Sequence, residues 1–227
     1  MTRTVTQPPP PEPAPSREQQ ILSAAARAFA TQGYSAASMQ DVAQLAGISK
    51  ATLYHYFRSK EAMAETLHAR TLEDLYRYVV AEAQSGPPAE RVAAFMAAHA
   101  RFFEANYHAF VALILDLSPT LHNIRPDAVT IRDRYENFLR DLLRDGVRAG
   151  EFRPTDPVVT GRAILSTLNW MIRWFKPGGE SRAEDIARQY ADLIVGGLRV
   201  FPNAPSVSQL SQSPPAPLPQ GERGEMV

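Results

Sequence analysis

The richest concentration of side chains suited to chemistry lies between residues 50 and 56. The stretch Lys50-Ala51-Thr52-Leu53-Tyr54-His55-Tyr56 combines hydrogen-bond donors, a small residue and aromatic rings. If Leu53 faces inward on a short helix, the others point outward together. Such a set suits the major groove of DNA, where side chains meet base edges, thymine methyl groups and phosphates. A solvated helix with structural tyrosines is the alternative interpretation.

Two short helices are needed to position these side chains. Ser38 and Asp41 have the spacing of a capping box that begins the first helix, and Ser49 is a suitable N-cap for the second. Gly47 lies in the turn between them, where positive φ suits glycine. Helices this short do not stand alone, so the pattern is typical of a helix-turn-helix. Four apolar residues are expected to hold both helices against Phe29: Val42, Leu45, Ile48 and Leu53.

Helical spacing of apolar residues continues along most of the chain, and no alternation of period two is sustained. We therefore predict an all-α fold of about nine helices, in which an N-terminal three-helix helix-turn-helix domain over residues 16–60 precedes a helical-bundle domain over residues 61–201. Residues 1–15 and 202–227 contain 12 of the 19 prolines. Such segments cannot bury enough apolar surface to fold, so both are predicted to be disordered tails.

The other helices are also predicted from capping residues and helix breakers. Ser16 and Gln19 have the spacing of a capping box that begins helix 1. Asp156-Pro157 is an N-cap followed by a proline at the first helical position, and Ser181 with Glu184 has capping-box spacing. Predicted helices 5 to 9 span, in order, residues 89–105, 107–118, 127–149, 157–176 and 182–201.

Charge is distributed unevenly although the whole chain has 24 basic and 24 acidic residues. Residues 16–60 contain five basic and two acidic side chains, a net charge of +3, whereas residues 61–201 contain 17 and 19, a net charge of −2. The positive excess is therefore confined to the predicted helix-turn-helix domain, as expected for contact with a polyanion.

Several classes of protein are disfavoured by what the sequence lacks. The absence of cysteine excludes disulfides, thiolate metal sites and cysteine nucleophiles. There is no phosphate-binding loop, dinucleotide fingerprint, H-E-x-x-H or G-x-S-x-G, and the five histidines show no metal spacing. We predict no enzyme activity, metal or cofactor. The absence of a secretion signal or an 18-residue apolar run predicts a cytoplasmic protein with no membrane partner.

An ordered set of motifs resembles the N-terminal signature of the TetR (tetracycline-repressor) family of bacterial transcription regulators. The resemblance implies a homodimer that binds double-stranded, palindromic operator DNA and is released by a small-molecule effector. The motifs are Ile21-Leu22-x-Ala24-Ala25, Phe29-Ala30-x-x-Gly33-Tyr34, Ser38-Met39-x-Asp41-Val42-Ala43, Ala46-Gly47-Ile48-Ser49 and Leu53-Tyr54-x-Tyr56-Phe57-x-x-Lys60-Glu61.

The same resemblance assigns candidate DNA-binding residues. Gln40 and Lys50 are candidates to reach base edges, and Lys60 is expected to bind a phosphate at the start of the fourth helix. The full predicted DNA-binding set is Gln40, Lys50, Ala51, Thr52, Tyr54, His55, Tyr56 and Lys60.

The last two predicted helices carry the apolar patterns expected of a dimer interface. One row on helix 8 recurs at steps of three and four residues: Val158, Gly161, Leu165, Leu168, Ile172 and Phe175. A second row holds Ala163, Trp170 and Trp174. Because the last two helices form a four-helix bundle across the dimer axis in the resembled family, we predict a homodimer through helices 8 and 9. The alternative is that these rows pack within one subunit.

Bulky side chains in the second domain predict an apolar cavity with a few polar groups. The candidate ligand-binding residues are His99, Phe103, Phe110, Tyr135, Trp170, Arg173 and Trp174. The segment from Asn169 to Gly179 is similar to the end of helix 8 in a TetR subgroup linked to fatty-acid, aromatic-acid and sterol breakdown, several members of which respond to acyl-coenzyme A thioesters. The predicted effector is therefore an acyl-coenzyme A. The alternative is that these side chains only pack the core, and that the protein is a DNA-binding dimer without a ligand.

Overall fold

The computed structural model describes residues 14–112 and 126–200, which contain nine α-helices and no β-strand. The all-α prediction is confirmed. Residues 1–13, 113–125 and 201–227 lie outside the described residues. They include nearly all of the predicted tails and residues 113–118 of the predicted sixth helix. The helices are α1 (Arg17–Gln32), α2 (Met39–Leu45), α3 (Lys50–Tyr56), α4 (Lys60–Glu82), α5 (Pro88–Ala105), α6 (Tyr107–Val111), α7 (Pro126–Arg148), α8 (Pro157–Trp170) and α9 (Ala183–Leu198).

Side-chain caps begin most helices of the N-terminal half where the sequence predicts them. Ser16 and Ser38 form capping boxes with the residues three positions later, and Ser49 Oγ accepts a hydrogen bond from the backbone N–H of Thr52. At α8, Asp156 accepts from the backbone N–H groups of Val158 and Val159. These contacts satisfy N–H groups that have no partner within the helix, which is why the helices begin there.

The predicted capping box of α9 is wrong. Arg182 occupies the N-cap position and makes no side-chain cap hydrogen bond. Instead, the backbone N–H of Ala183 donates to Glu104 Oε2 of α5 over 3.0 Å. The Glu184 side chain accepts hydrogen bonds from Arg101 and Arg188, so it does not turn back to the helix terminus.

The α8 helix also ends earlier than predicted. It stops at Trp170, and Met171–Arg173 continue as one turn of 3-10 helix. This tighter turn leaves Met171, Ile172 and Phe175 buried while Arg173 faces solvent. The chain therefore leaves α8 with its apolar residues still packed inward.

Two apolar clusters form the interior of the described residues. The N-terminal cluster runs from Ile21 to Leu67, and the C-terminal cluster runs from Leu75 to Leu198. The α4 helix contributes to both clusters, and Ala112, just after α6, is buried in the N-terminal one. Therefore α4 and α6 connect the two halves mechanically. Within residues 14–112 and 126–200, no helix is both long and apolar enough to cross a membrane.

Candidate nucleic-acid interface and ligand-binding core

The turn between α2 and α3 is held by backbone hydrogen bonds. The N–H of Ile48 donates to the carbonyl oxygen of Ala43 over 3.0 Å, and Gly47 has φ of 63°. A Cβ added at Gly47 would meet nothing within 4 Å, so glycine is favoured there by backbone conformation and not by lack of space. The helix-turn-helix predicted from the sequence is present.

The inner face of the helix-turn-helix differs from the prediction at one residue. Val42 and Leu53 are fully buried with Phe29, and Ile48 is half-buried. Leu45, predicted to face inward, is 41% exposed. It follows buried Val42 by three positions, which places it about 60° from Val42 on the side away from Ala43, so it lies at the edge of the buried face.

The outer face of α3 presents every side chain predicted to meet DNA from that helix. All are exposed: Lys50, Ala51, Thr52, Tyr54, His55 and Tyr56. Gln40 of α2 is exposed as well. The His55 and Tyr56 rings meet edge to face at 5.6 Å, and Lys50 Nζ lies 6.0 Å from the Tyr54 ring centroid. Two exposed tyrosines on a seven-residue helix form a contact surface with both apolar and hydrogen-bonding character.

Lys60 has a structural role that the sequence did not indicate. Its Nζ donates to the carbonyl oxygens of Tyr34 at 2.8 Å, Ser35 at 3.3 Å and Ala37 at 3.0 Å, and it lies 4.5 Å from the Tyr34 ring centroid. An ammonium group has three N–H donors, so each one has a carbonyl partner here. Lys60 thereby ties the start of α4 to the turn that follows α1. Its contact with phosphate stays a prediction.

Four of the predicted ligand residues meet in the C-terminal cluster. The His99 ring lies 5.7 Å from the Phe110 ring and 6.1 Å from the Tyr135 ring, and Phe103 lies 5.5 Å from Phe110. All four side chains are at most 5% exposed. We call His99, Phe103, Phe110 and Tyr135 the aromatic core.

The polar atoms of the aromatic core are paired incompletely. His99 Nδ1 lies 2.7 Å from the Tyr135 hydroxyl, while His99 Nε2 has no hydrogen-bond partner in the described structure. Complete burial lowers the pKa of His99 to about 4, so the imidazole is neutral at pH 7. Burial raises the pKa of Tyr135, which keeps its hydroxyl protonated.

The other three predicted ligand residues lie apart from the aromatic core. Trp170 and Trp174 are 64% and 47% exposed, and the exposed Arg173 guanidinium lies 5.5 Å from the Trp170 ring centroid. The seven predicted residues therefore do not line one cavity within the subunit. Buried Phe175 connects the two groups, because its ring lies 5.3 Å from that of Phe103.

The apolar row predicted to form the dimer interface is buried within the subunit. Gly161, Leu168, Ile172 and Phe175 face the C-terminal cluster, so the alternative of intrachain packing is correct for this row. These four residues are therefore not available to a partner subunit, and dimerisation through helices 8 and 9 stays a prediction. The opposite sides of α8 and α9 carry exposed apolar residues instead. We call this surface the outer face: Val159, Ala163 and Trp170 on α8, with Leu193 and Gly197 on α9.

A groove of about 370 Å³ lies between α1, α4 and the junction of α5 with α6. Leu22 and Arg27 line it from α1, Arg70 from α4, and Phe102 and Asn106 from the far side. Beside it, Arg70 Nη2 binds Glu18 Oε1 at 2.7 Å and joins α4 to α1. The sequence did not indicate this groove because three separated segments form its walls. It lies at the boundary between the N-terminal cluster and the C-terminal half.

Comparison with known proteins defines the class. Residues 21–67 match the family described as bacterial regulatory proteins, tetR family, and residues 85–198 match the tetracyclin repressor-like, C-terminal domain. The chain belongs to the TetR family. It is a transcriptional regulator with a helix-turn-helix DNA-binding domain and not an enzyme.

Among its relatives is the HTH-type transcriptional repressor KstR2 of Mycolicibacterium smegmatis, 34% identical over 196 residues that cover 83% of this chain and 93% of that protein. The structure of PfmR, a TetR family transcriptional regulator from Thermus thermophilus, has 45% identity and a TM-score of 0.74, covering 79% of this chain and 99% of that one. The structure of AibR in complex with isovaleryl coenzyme A and operator DNA has 26% identity and a TM-score of 0.71, covering 78% and 97%.

Proposed function

We propose that this chain is a homodimeric repressor that binds a palindromic operator and releases it when an acyl-coenzyme A binds the C-terminal half. The observation that carries the proposal is the exposed face of α3 in a helix-turn-helix whose Val42 and Leu53 are fully buried with Phe29. Relatives bearing the name KstR2 are repressors, which supports the direction of regulation. Residues 16–60 form the DNA-binding unit in this proposal, residues 61–201 form the sensing unit, and the protein acts in the cytoplasm.

The roles of the DNA-facing residues follow from their chemistry. Lys50, His55 and Gln40 offer donors to base edges, while the Tyr54 and Tyr56 hydroxyls reach phosphates. Ala51 and Thr52 allow close approach of α3 to the groove floor and can contact a thymine methyl group. Lys60 lies at the N-terminus of α4, where backbone N–H groups favour an anion.

The outer face is the surface we assign to dimerisation. Val159, Ala163 and Trp170 are spaced by four and seven residues, which places them on one side of α8, and Leu193 and Gly197 share a side of α9. A Cβ added at Gly197 would meet nothing within 4 Å, so the backbone there is open to a second chain. Two α8–α9 pairs related by a two-fold axis form a four-helix bundle and set two α3 helices about 34 Å apart, one turn of B-DNA.

An acyl-coenzyme A suits both groups of predicted ligand residues. The aromatic core offers an apolar environment to an acyl chain, whereas Arg173 and Lys176 are exposed cations for carboxylate or phosphate oxygens. Phe175 contacts the aromatic core from the same segment that exposes Arg173. The AibR complex, which holds isovaleryl coenzyme A and operator DNA, supports this class of effector.

An operator-release titration tests the proposal. The operator is selected from a random DNA pool with the purified protein, and fluorescence anisotropy follows its release by short-, medium- and long-chain acyl-coenzyme A, free acids and coenzyme A alone. A hundredfold preference of the effector for the DNA-free state supplies about 2.7 kcal/mol of coupling, enough to shift release visibly. Absence of release by every thioester at micromolar concentrations removes the effector and favours a ligand-free DNA-binding dimer.

Two variants test the role of Arg173 independently of the class of effector. Arg173→Ala is expected to weaken release by the thioesters, because it removes the guanidinium beside Trp170. Arg148→Ala is the matched control, since it removes another exposed arginine, on α7, whose ion pair is with Asp145. Undiminished release in Arg173→Ala would remove that residue from the site and leave the class of effector in place.

A further inference from the structure

The buried His99–Tyr135 pair offers one hydrogen-bonding atom to the interior. His99 Nε2 is fully enclosed and has no partner among the described residues, while Nδ1 lies 2.7 Å from the Tyr135 hydroxyl. Buried polar atoms in proteins are almost always paired, so an unpaired one in the ligand-binding half calls for an occupant. The Phe95 ring packs on Tyr135 and the Phe110 ring packs on His99, and neither ring supplies a hydrogen-bond acceptor.

The hydrogen bond between His99 and Tyr135 determines which nitrogen of the neutral imidazole carries the proton. If Nδ1–H donated to the tyrosine oxygen, the Tyr135 hydroxyl proton would need a second acceptor and Nε2 would be an unpaired acceptor as well. If the Tyr135 hydroxyl donates to Nδ1, the only group of this pair without a partner in the described structure is Nε2–H. The second arrangement leaves fewer buried groups unpaired, so Nε2 is a donor.

We infer that His99 Nε2–H is the donor that recognises the carbonyl oxygen of the acyl group of the effector, an inference that rests on the proposed acyl-coenzyme A function. A neutral donor enclosed by aromatic rings suits an uncharged carbonyl such as that of a thioester. It does not suit a free carboxylate, whose charge would be buried without a cation among these residues. The low pKa of His99 agrees, because the ring gains no positive charge at pH 7. The structure therefore assigns selectivity for the thioester over its free acid to the aromatic core.

The test compares two ligands that differ by the carbonyl alone. Isothermal titration calorimetry on the full-length dimer measures affinities for acyl-coenzyme A and for the alkyl-coenzyme A thioether of equal chain length, in matched short, medium and long pairs. The wild type is expected to prefer the thioester about tenfold or more, the range of one buried hydrogen bond. His99→Leu is expected to bind both equally, and His99→Gln, which retains an N–H donor, is expected to recover part of the preference.

Further measurements distinguish a variant that does not fold from an inference that is wrong. Circular dichroism and operator affinity without effector report whether His99→Leu is folded. Tyr135→Phe retains the ring packing and removes the hydroxyl that orients the imidazole, so it is expected to reduce the thioester preference without unfolding the protein. Equal binding of thioester and thioether by the wild type overturns the inference while the proposed effector stands. If neither ligand binds, the proposed function fails and this inference fails with it.

Discussion

Leu193→Asp is expected to separate the dimer while leaving each subunit folded. Leu193 is 74% exposed on α9, as part of the outer face, so the isolated subunit gains little from it. In the proposed dimer the same side chain is covered by the partner subunit. Replacing it with aspartate removes apolar burial and places an uncompensated carboxylate in the interface.

The expected loss of dimer stability follows from the exposed fraction of the Leu193 side chain. Complete burial of a leucine side chain is worth about 2 kcal/mol, so covering the exposed part of Leu193 is worth about 1.5 kcal/mol. A two-fold interface contains the residue twice, which gives about 3 kcal/mol per dimer. Each 1.4 kcal/mol changes the dissociation constant about tenfold, so the dimer is weakened at least about a hundredfold before the carboxylate penalty is added.

Sedimentation velocity over a concentration series measures this change, and circular dichroism monitors the fold. Leu45→Asp is the control, because Leu45 is also an exposed leucine on a helix but lies on α2, which is not part of the outer face. Leu168→Asp is expected to unfold the subunit itself, because Leu168 is only 1% exposed in the C-terminal cluster and the substitution buries a charge there. A Leu193→Asp protein that stays dimeric at low micromolar concentration refutes the assignment of the outer face.

Two further predictions concern buried polar contacts. Lys60→Met is expected to lower the free energy of unfolding by about 2 kcal/mol in urea titrations, because three backbone carbonyls lose a charged donor. If stability is unchanged, and the slope of operator affinity against salt concentration on logarithmic axes falls by about one, Lys60 acts on phosphate alone. Acidification from pH 7 to pH 5 is expected to cost about 2 kcal/mol through His99, whose pKa falls from 6.5 to about 4 on folding, so that the unfolded chain binds a proton that the folded chain does not. Stability therefore falls as pH drops through this window, and a pH dependence identical in His99→Leu would contradict the assignment.

The sequence alone was sufficient for features that depend on neighbouring residues. The capping boxes at Ser16 and Ser38, the N-cap at Asp156 and the positive φ of Gly47 all agree with the prediction. Each arises from hydrogen bonds or backbone sterics within about four residues, so residue type and spacing are enough to predict them. The exposure of the α3 side chains follows from the same local periodicity once Leu53 is placed inside.

Features that join distant segments were decided only by the tertiary structure. The α8 helix has apolar residues on two sides, and periodicity does not tell which side is buried within its own subunit. The packing of α8 against α5 and α7 buries the row that contains Leu168 and leaves Trp170 exposed. Lys60 contacts carbonyl oxygens 23 to 26 residues earlier in the chain, and His99 meets Tyr135 from 36 residues away. Such contacts depend on how complete helices pack, because a polar side chain binds whichever partner the assembled core brings within about 3 Å.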